Sequence, residues 1–142
     1  MGTIAVSRRV TLKADPQTVW EFVRDLSRFA EWQPHIAAAE VRPNGDRLLQ
    51  FKRGDSIIDR IVFYDEEART YTYAIAPGQD TPLKAMGATF AVAGDPDGTT
   101  VQYTISVTVP DEMEELATKG ITGDIDGALG GLDTKFNGGQ DR

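Results

Sequence analysis

Asp59, His35 and three tyrosines are the side chains whose types and spacing could move protons. Asp59 lies between Ile57 and Ile61, with Phe63 two residues further on. Strand alternation would put all four on one face, a carboxylate among apolar neighbours. Burial without a cation raises such a carboxyl's pKa, which suits a general acid or base. A one-residue bulge that turns Asp59 outward fits the same residues, as does a structural pair with an arginine. His35 is the only histidine and follows Pro34. Its imidazole titrates near neutral pH and suits an aldol-type cyclisation or a dehydration; a plain surface loop is the alternative. Tyr71, Tyr73 and Tyr103 offer phenolic donors to a ligand carbonyl or enolate, although any buried tyrosine needs some partner.

Other chemistries are excluded by residue type. With no cysteine there is no thiolate or disulfide, and one histidine without an H-E-x-x-H pattern does not make a metal site. Gly123-Asp124 and Asp126-Gly127 have the wrong ligand spacing for a calcium loop. No phosphate loop, nucleophile motif or dinucleotide fingerprint occurs, so no metal or cofactor is expected. The net charge of −7 disfavours nucleic acid as a partner. Arg8-Arg9 and Lys52-Arg53 read as ordinary solvated or strand-end charges. No apolar run approaches the ~20 residues of a membrane helix, and the N-terminus lacks the order of a signal peptide. The expectation is a cytoplasmic protein, monomer or homodimer, with no membrane insertion.

The elements that must position these residues follow from periodicity. Thr3 to Lys13 alternates, with Ile4, Val6, Val10 and Leu12 on one face and Arg8 interrupting it. Asp15-Pro16 reads as an N-cap with proline at the first helical position. Val19, Phe22, Val23 and Leu26 then form a helical stripe. A second short helix spans Ser27 to Trp32 and ends at Pro34. Strands are expected over residues 36–42, 47–53, 56–64, 70–76, 84–92 and 100–109. Asn44-Gly45, Gly54-Asp55 and Asp95-Pro96-Asp97-Gly98 supply turns, and 77–82 a loop. Asp111 with Glu114 has the spacing of a capping box. Met113, Ala117, Ile121, Ile125, Ala128, Leu132 and Phe136 then mark one long helix. Gly120, Gly123, Gly127, Gly130 and Gly131 cluster on a second strip of that helix; either glycine is simply tolerated on an exposed face there, or the strip is a soft hinge beside a cavity mouth.

One sheet with six short-linked strands, two short helices after the first strand and a long final helix is an α+β arrangement. The helix must cover the sheet. The run from Val10 to Trp32, V-T-L-K-A-D-P-Q-T-V-W-E-F-V-R-D-L-S-R-F-A-E-W, is followed by Pro34. With Ile58-Asp59-Arg60, Asp65, Tyr71-Thr72-Tyr73 and Gly98-Thr99-Thr100-Val101, it resembles the START-like helix-grip (SRPBCC) superfamily, and within it the bacterial polyketide cyclase/dehydrase-like proteins. The resemblance covers nearly the whole chain. It implies a single domain over 1–142 with a flexible tail at 137–142. It also implies a seven-stranded antiparallel sheet wrapped around the C-terminal helix, with an internal cavity.

The function expected is binding of a small hydrophobic, aromatic or polyketide-like ligand, with acid–base cyclisation, dehydration or aromatisation as the accompanying chemistry. A non-catalytic carrier or sensor is the other expectation. Asp59 and His35 are the catalytic candidates. Arg8, Ile61, Phe63, Tyr71, Tyr73, Met86, Phe90, Tyr103, Ile121 and Asp124 are the ligand-contact candidates. Plain core packing would give the same apolar alternation.

Overall fold

The computed structural model describes residues 2–77 and 84–137. Seven strands form one antiparallel sheet: β1 Gly2–Leu12, β2 Ile36–Val41, β3 Arg47–Phe51, β4 Ser56–Asp65, β5 Thr70–Ile75, β6 Lys84–Asp95 and β7 Gly98–Val109. Their order is β1-β7-β6-β5-β4-β3-β2. The last six strands are therefore a meander, and the first returns to pair with the last. Most of the expected 77–82 loop and the tail beyond Asn137 lie outside the described residues.

Three helices occupy one side: α1 Pro16–Val23, α2 Phe29–Trp32 and α3 Glu114–Asn137. Asp15 caps α1, its carboxylate accepting from the Thr18 N–H at 3.2 Å, with Pro16 at the first turn. This helix is shorter than its apolar stripe suggests. Asp25 accepts from the Ser27 N–H and starts a separate 3₁₀ turn, Leu26–Arg28. The expected helix start at Asp111 is also corrected, because a 3₁₀ turn at Asp111–Met113, with Pro110 at its N-cap, precedes α3. Asn137 docks on β1, accepting from the Lys13 N–H at 2.8 Å and donating to the Thr11 carbonyl at 3.0 Å. It therefore does not belong to a frayed tail.

α3 lies against β1 and β7, α1 against β6 and β7, and α2 between β2 and α3. The core they enclose includes Leu12, Val19, Trp20, Phe90, Val101, Val107, Ile125 and Leu132, all fully buried. Burying such side chains is the main stabilising contribution, roughly 1.5–3 kcal/mol each. One glycine of α3 is required by this packing. A Cβ on Gly131 would fall on the Trp32 carbonyl oxygen and lie 2.7 Å from its carbon, so α3 can approach the end of α2 only without a side chain there. Among the described residues, no helix is long and apolar enough to cross a membrane.

Candidate functional site

A cavity of about 120 Å³ opens between the sheet, α2 and α3. β3 contributes Leu49 and Phe51, β4 Ile57, β6 Met86, β7 Tyr103 and Ile105, and β5 Tyr73. Phe29 and Gln33 enter from the α2 segment, Ile36 from the start of β2, and Ile121 and Asp124 from α3. Strand alternation explains the wall, because on each strand every second residue points toward the helices. The enclosed volume is slightly below that of a 150 Å³ cavity able to hold benzene. It takes one ring or a short branched chain, and a larger ligand must extend through the mouth.

The polar groups on this wall are few and specific. The Tyr73 and Tyr103 hydroxyls are 2.5 Å apart, in a hydrogen bond buried in the sheet face. Each hydroxyl carries one proton, and the shared bond uses one of them. The other proton has no partner among the described residues and is available to an acceptor in the cavity. Burial pushes the Tyr73 phenol up to about 12 and the Tyr103 phenol well above its ordinary value. Both therefore remain donors throughout the neutral range. Phe90, its cross-strand neighbour on β6, stacks on Tyr103 at 3.9 Å and fixes its ring.

Asp124, Arg53 and Asp55 are the charged groups lining the cavity. Burial pushes the Asp124 carboxyl up, while the neighbouring His35 and Arg53 act in the opposite direction. The Asp124 backbone carbonyl accepts from Gln33 Nε2 at 2.7 Å, and Gln33 Oε1 accepts from the His35 N–H at 3.1 Å. This buried glutamine ties α3 to the turn before β2, holding Asp124 at its position. Arg53 donates from Nε to Asp55 at 2.7 Å and lies over the Phe51 ring. That bond holds the Asp55 carboxyl below its ordinary value.

Tyr73, Met86, Tyr103, Ile121 and Asp124 come together at this cavity; the other candidates lie elsewhere. Asp59 is fully buried but faces Arg47 across the β3–β4 pair and is absent from the cavity wall. Arg47 donates to both Asp59 oxygens, at 3.0 and 2.7 Å, and to the Leu26 carbonyl at 3.2 Å. Burial pushes the Asp59 carboxyl up, and the guanidinium pulls against that rise. The pair sits beside the cavity on the same face of the sheet, with Arg47 against the rings of Phe29 and Tyr73. His35 is exposed and lies in a neighbouring groove with Pro34, Lys52 and Arg53, its ring near Gly127.

Several ligand-contact expectations are corrected in the same way. A register shift between Ile61 and Phe63 breaks the alternation of β4 and leaves Phe63 51% exposed. Ile61 lies instead beside a surface groove formed by Asn44, Gly45, Asp46 and Arg60. Arg8 is on the helix-facing side of an edge strand, so its long side chain reaches out to Asp126 of α3 at 3.5 Å. Tyr71 donates its hydroxyl to the Val23 carbonyl at 2.9 Å and packs in the core. Phe90 is fully buried among Phe29, Trp32 and Tyr103, next to the cavity without lining it. The glycine strip of α3 is not uniform either. Added Cβ atoms at Gly120, Gly123 and Gly130 would meet nothing, whereas Gly127 and Gly131 face the α2–β2 segment closely.

Sequence reasoning missed Arg47, Gln33, Phe51, Arg53 and Asp55. For Arg47 the signal exists: Arg47, Leu49 and Phe51 share a parity on β3, so an inward arginine was legible beside an inward aspartate on β4. Gln33 gives no such signal, since its role depends on where α3 passes. Arg53 and Asp55 flank the turn between β3 and β4, and their place on the cavity wall depends on where that turn lies relative to α3.

Comparisons with known proteins agree with this architecture. A search of curated proteins finds no match. The structure is similar to that of the protein XoxI from Bacillus cereus, with a TM-score of 0.79 at 23% identity, covering 96% of each chain. It is also similar to a solution structure from Thermobifida fusca, with a TM-score of 0.76 at 25% identity, covering 96% of this chain and 93% of that one. A START superfamily protein from Mycobacterium smegmatis matches with a TM-score of 0.72 at 18% identity, over 96% of this chain and 99% of that one. A family model described as polyketide cyclase / dehydrase and lipid transport matches residues 3–137. With its seven-stranded antiparallel sheet, long C-terminal helix and START-like fold, the chain belongs to the polyketide cyclase/dehydrase and lipid transport family.

Proposed function

We propose that the protein binds a small, mostly apolar molecule of about one ring that carries a carbonyl or similar acceptor. The observation that carries this reading is the Tyr73–Tyr103 pair, two phenols sharing one hydrogen bond on a wall formed mainly by apolar side chains. An apolar body gains by leaving water, and the spare hydroxyl proton selects ligands with an acceptor over plain hydrocarbons. Acetophenone is a suitable probe. Calorimetry should give one-to-one binding with a rise in melting temperature. Ile105→Phe, which fills the cavity from β7, should abolish both effects. Equal binding by parent and filled variant would place the ligand elsewhere and refute the reading.

A second reading, acid–base catalysis, is favoured by one observation: Asp124 is a carboxyl raised by burial on the same wall as the two phenols. A phenol donating to a bound carbonyl makes the adjacent C–H more acidic. The Asp124 carboxylate would take that proton, the C–H electron pair would form the carbon–carbon double bond of an enolate, and the carbonyl π pair would move onto the oxygen held by the phenol. This step is shared by aldol cyclisation and dehydration. Deuterium uptake at the methyl group of bound acetophenone, followed by NMR, tests it. Acceleration that Asp124→Asn lowers by ~10²-fold or more supports catalysis. Binding without acceleration leaves a carrier.

A further inference from the structure

We infer that the ligand is amphipathic, with an anionic head held outside the cavity mouth by Lys52, Arg53 and His35. The inference rests on the cavity reading above and adds the charge of the ligand.

Three cationic or titratable side chains meet in one place. Lys52 and Arg53 adjoin in sequence, and the Lys52 N–H donates to the His35 carbonyl at 3.0 Å, fixing His35 alongside them. Together with Pro34 these residues line one groove. Arg53 belongs to both walls, that of the groove and that of the cavity, so the two spaces adjoin at its side chain. A ligand whose apolar end fills the cavity emerges at this groove.

The neighbouring carboxylates do not cancel the site. Asp55 takes the Arg53 Nε–H, while the terminal amino groups of Arg53 have no partner among the described residues. Lys52 has no carboxylate partner among them either. Asp124 lies on the cavity side, and its burial disfavours the charged form. In a chain of net charge −7, Lys52 stands at the mouth of a mainly apolar cavity without a carboxylate partner among the described residues, beside an Arg53 whose terminal amino groups remain open to a further acceptor. This arrangement matches a carboxylate, which takes charge-assisted hydrogen bonds from guanidinium and ammonium donors.

The test compares 3-(4-hydroxyphenyl)propanoate with its amide, which has the same shape and no charge, by calorimetry at pH 7. The carboxylate should bind roughly tenfold more tightly, and raising salt should shrink the difference. Lys52→Gln should bring the carboxylate-to-amide ratio down toward one, whereas Lys119→Gln, on the exposed face of α3, should leave it unchanged. If the amide binds as well as the carboxylate, or Lys52→Gln leaves the ratio intact, the anionic head is refuted while the cavity reading stands. If neither compound binds, both readings fall.

Discussion

Arg47 and Asp59 face each other across adjacent strands as a two-point ion pair, each side chain 1% exposed. The structure thereby assigns Asp59 to holding β3 and β4 together beside the cavity. Asp59→Asn keeps the shape but leaves a buried guanidinium without its counter-charge. The expected loss is about 3–5 kcal/mol of unfolding free energy in urea. Replacing both residues, Arg47→Met with Asp59→Leu, should recover most of it, because removing the pair also removes its desolvation cost. A single substitution costing under about 1 kcal/mol would show that the pair is not a stabilising centre of the fold.

The glycines of α3 should divide in two by thermal unfolding. Gly131→Ala drives a methyl group into the Trp32 carbonyl, so α3 must move away from α2, and a large loss of stability is expected. Gly123 is exposed, with nothing near an added Cβ, so Gly123→Ala should stabilise by up to about 1 kcal/mol. Similar changes at both positions would contradict the close approach of the helix. A soft hinge along the whole strip, one of the two readings of the sequence, does not fit Gly131 and its contact with Trp32.

The tyrosine pair predicts an unusual pattern of ligand affinities. Either Tyr73→Phe or Tyr103→Phe leaves one hydroxyl free to donate, so each should bind acetophenone nearly as well as the parent. The double variant has no donor and should lose about tenfold in affinity, with no loss for ethylbenzene. Because burial holds the Tyr73 phenol at about 12, acetophenone binding should stay level up to about pH 10, where an ordinary phenol ionises. A fall in affinity centred near that pH would contradict the burial of the pair.

Asp124 predicts a pH dependence of stability. Its folded-state pKa is raised, so the folded protein holds this proton more tightly than the unfolded chain does. Stability should therefore fall as pH climbs from the ordinary value of 3.8 toward the raised one, and the deficit then persists at higher pH. Asp124→Asn should match the parent below that window and exceed it in melting temperature above it. A parent curve that rises through this window relative to the variant would reverse the assignment.

The legible parts of the molecule were those written locally. The Asp15-Pro16 cap, the Asn44-Gly45 and Asp97-Gly98 turns and the alternation of β5 and β7 each depend on a few adjacent residues, and each appears where periodicity put it. Tyr73, Met86 and Tyr103 reach the cavity for the same reason. The failures arose where a single residue changes parity or a distant element decides. The register shift at Val62 sends Phe63 outward. Asp59 could be read as catalytic or structural until Arg47 appeared on the neighbouring strand. The close contact of Gly131 with Trp32 exists only because α3 and α2 meet, and no window of sequence contains both.

The pairing of β1 with β7 also shapes how the chain finds its fold. Gly2 meets Val109 and Leu12 meets Thr99, so this long ladder joins the first and last strands of the sheet. The meander β2 to β6 needs only short loops to close, whereas the β1 ladder must wait for a closure of about a hundred residues, with its larger entropic cost. Until then β7 presents an unpaired edge of twelve residues, rich in threonine and valine, to the solvent. Refolding should therefore pass through a stage open to strand exchange between copies. Pulse-labelled amides of β4 and β5 should become protected before those of β1, and simultaneous protection would rule this order out. The N-terminal strand is thus the closing step of assembly as well as the cover of its most association-prone edge.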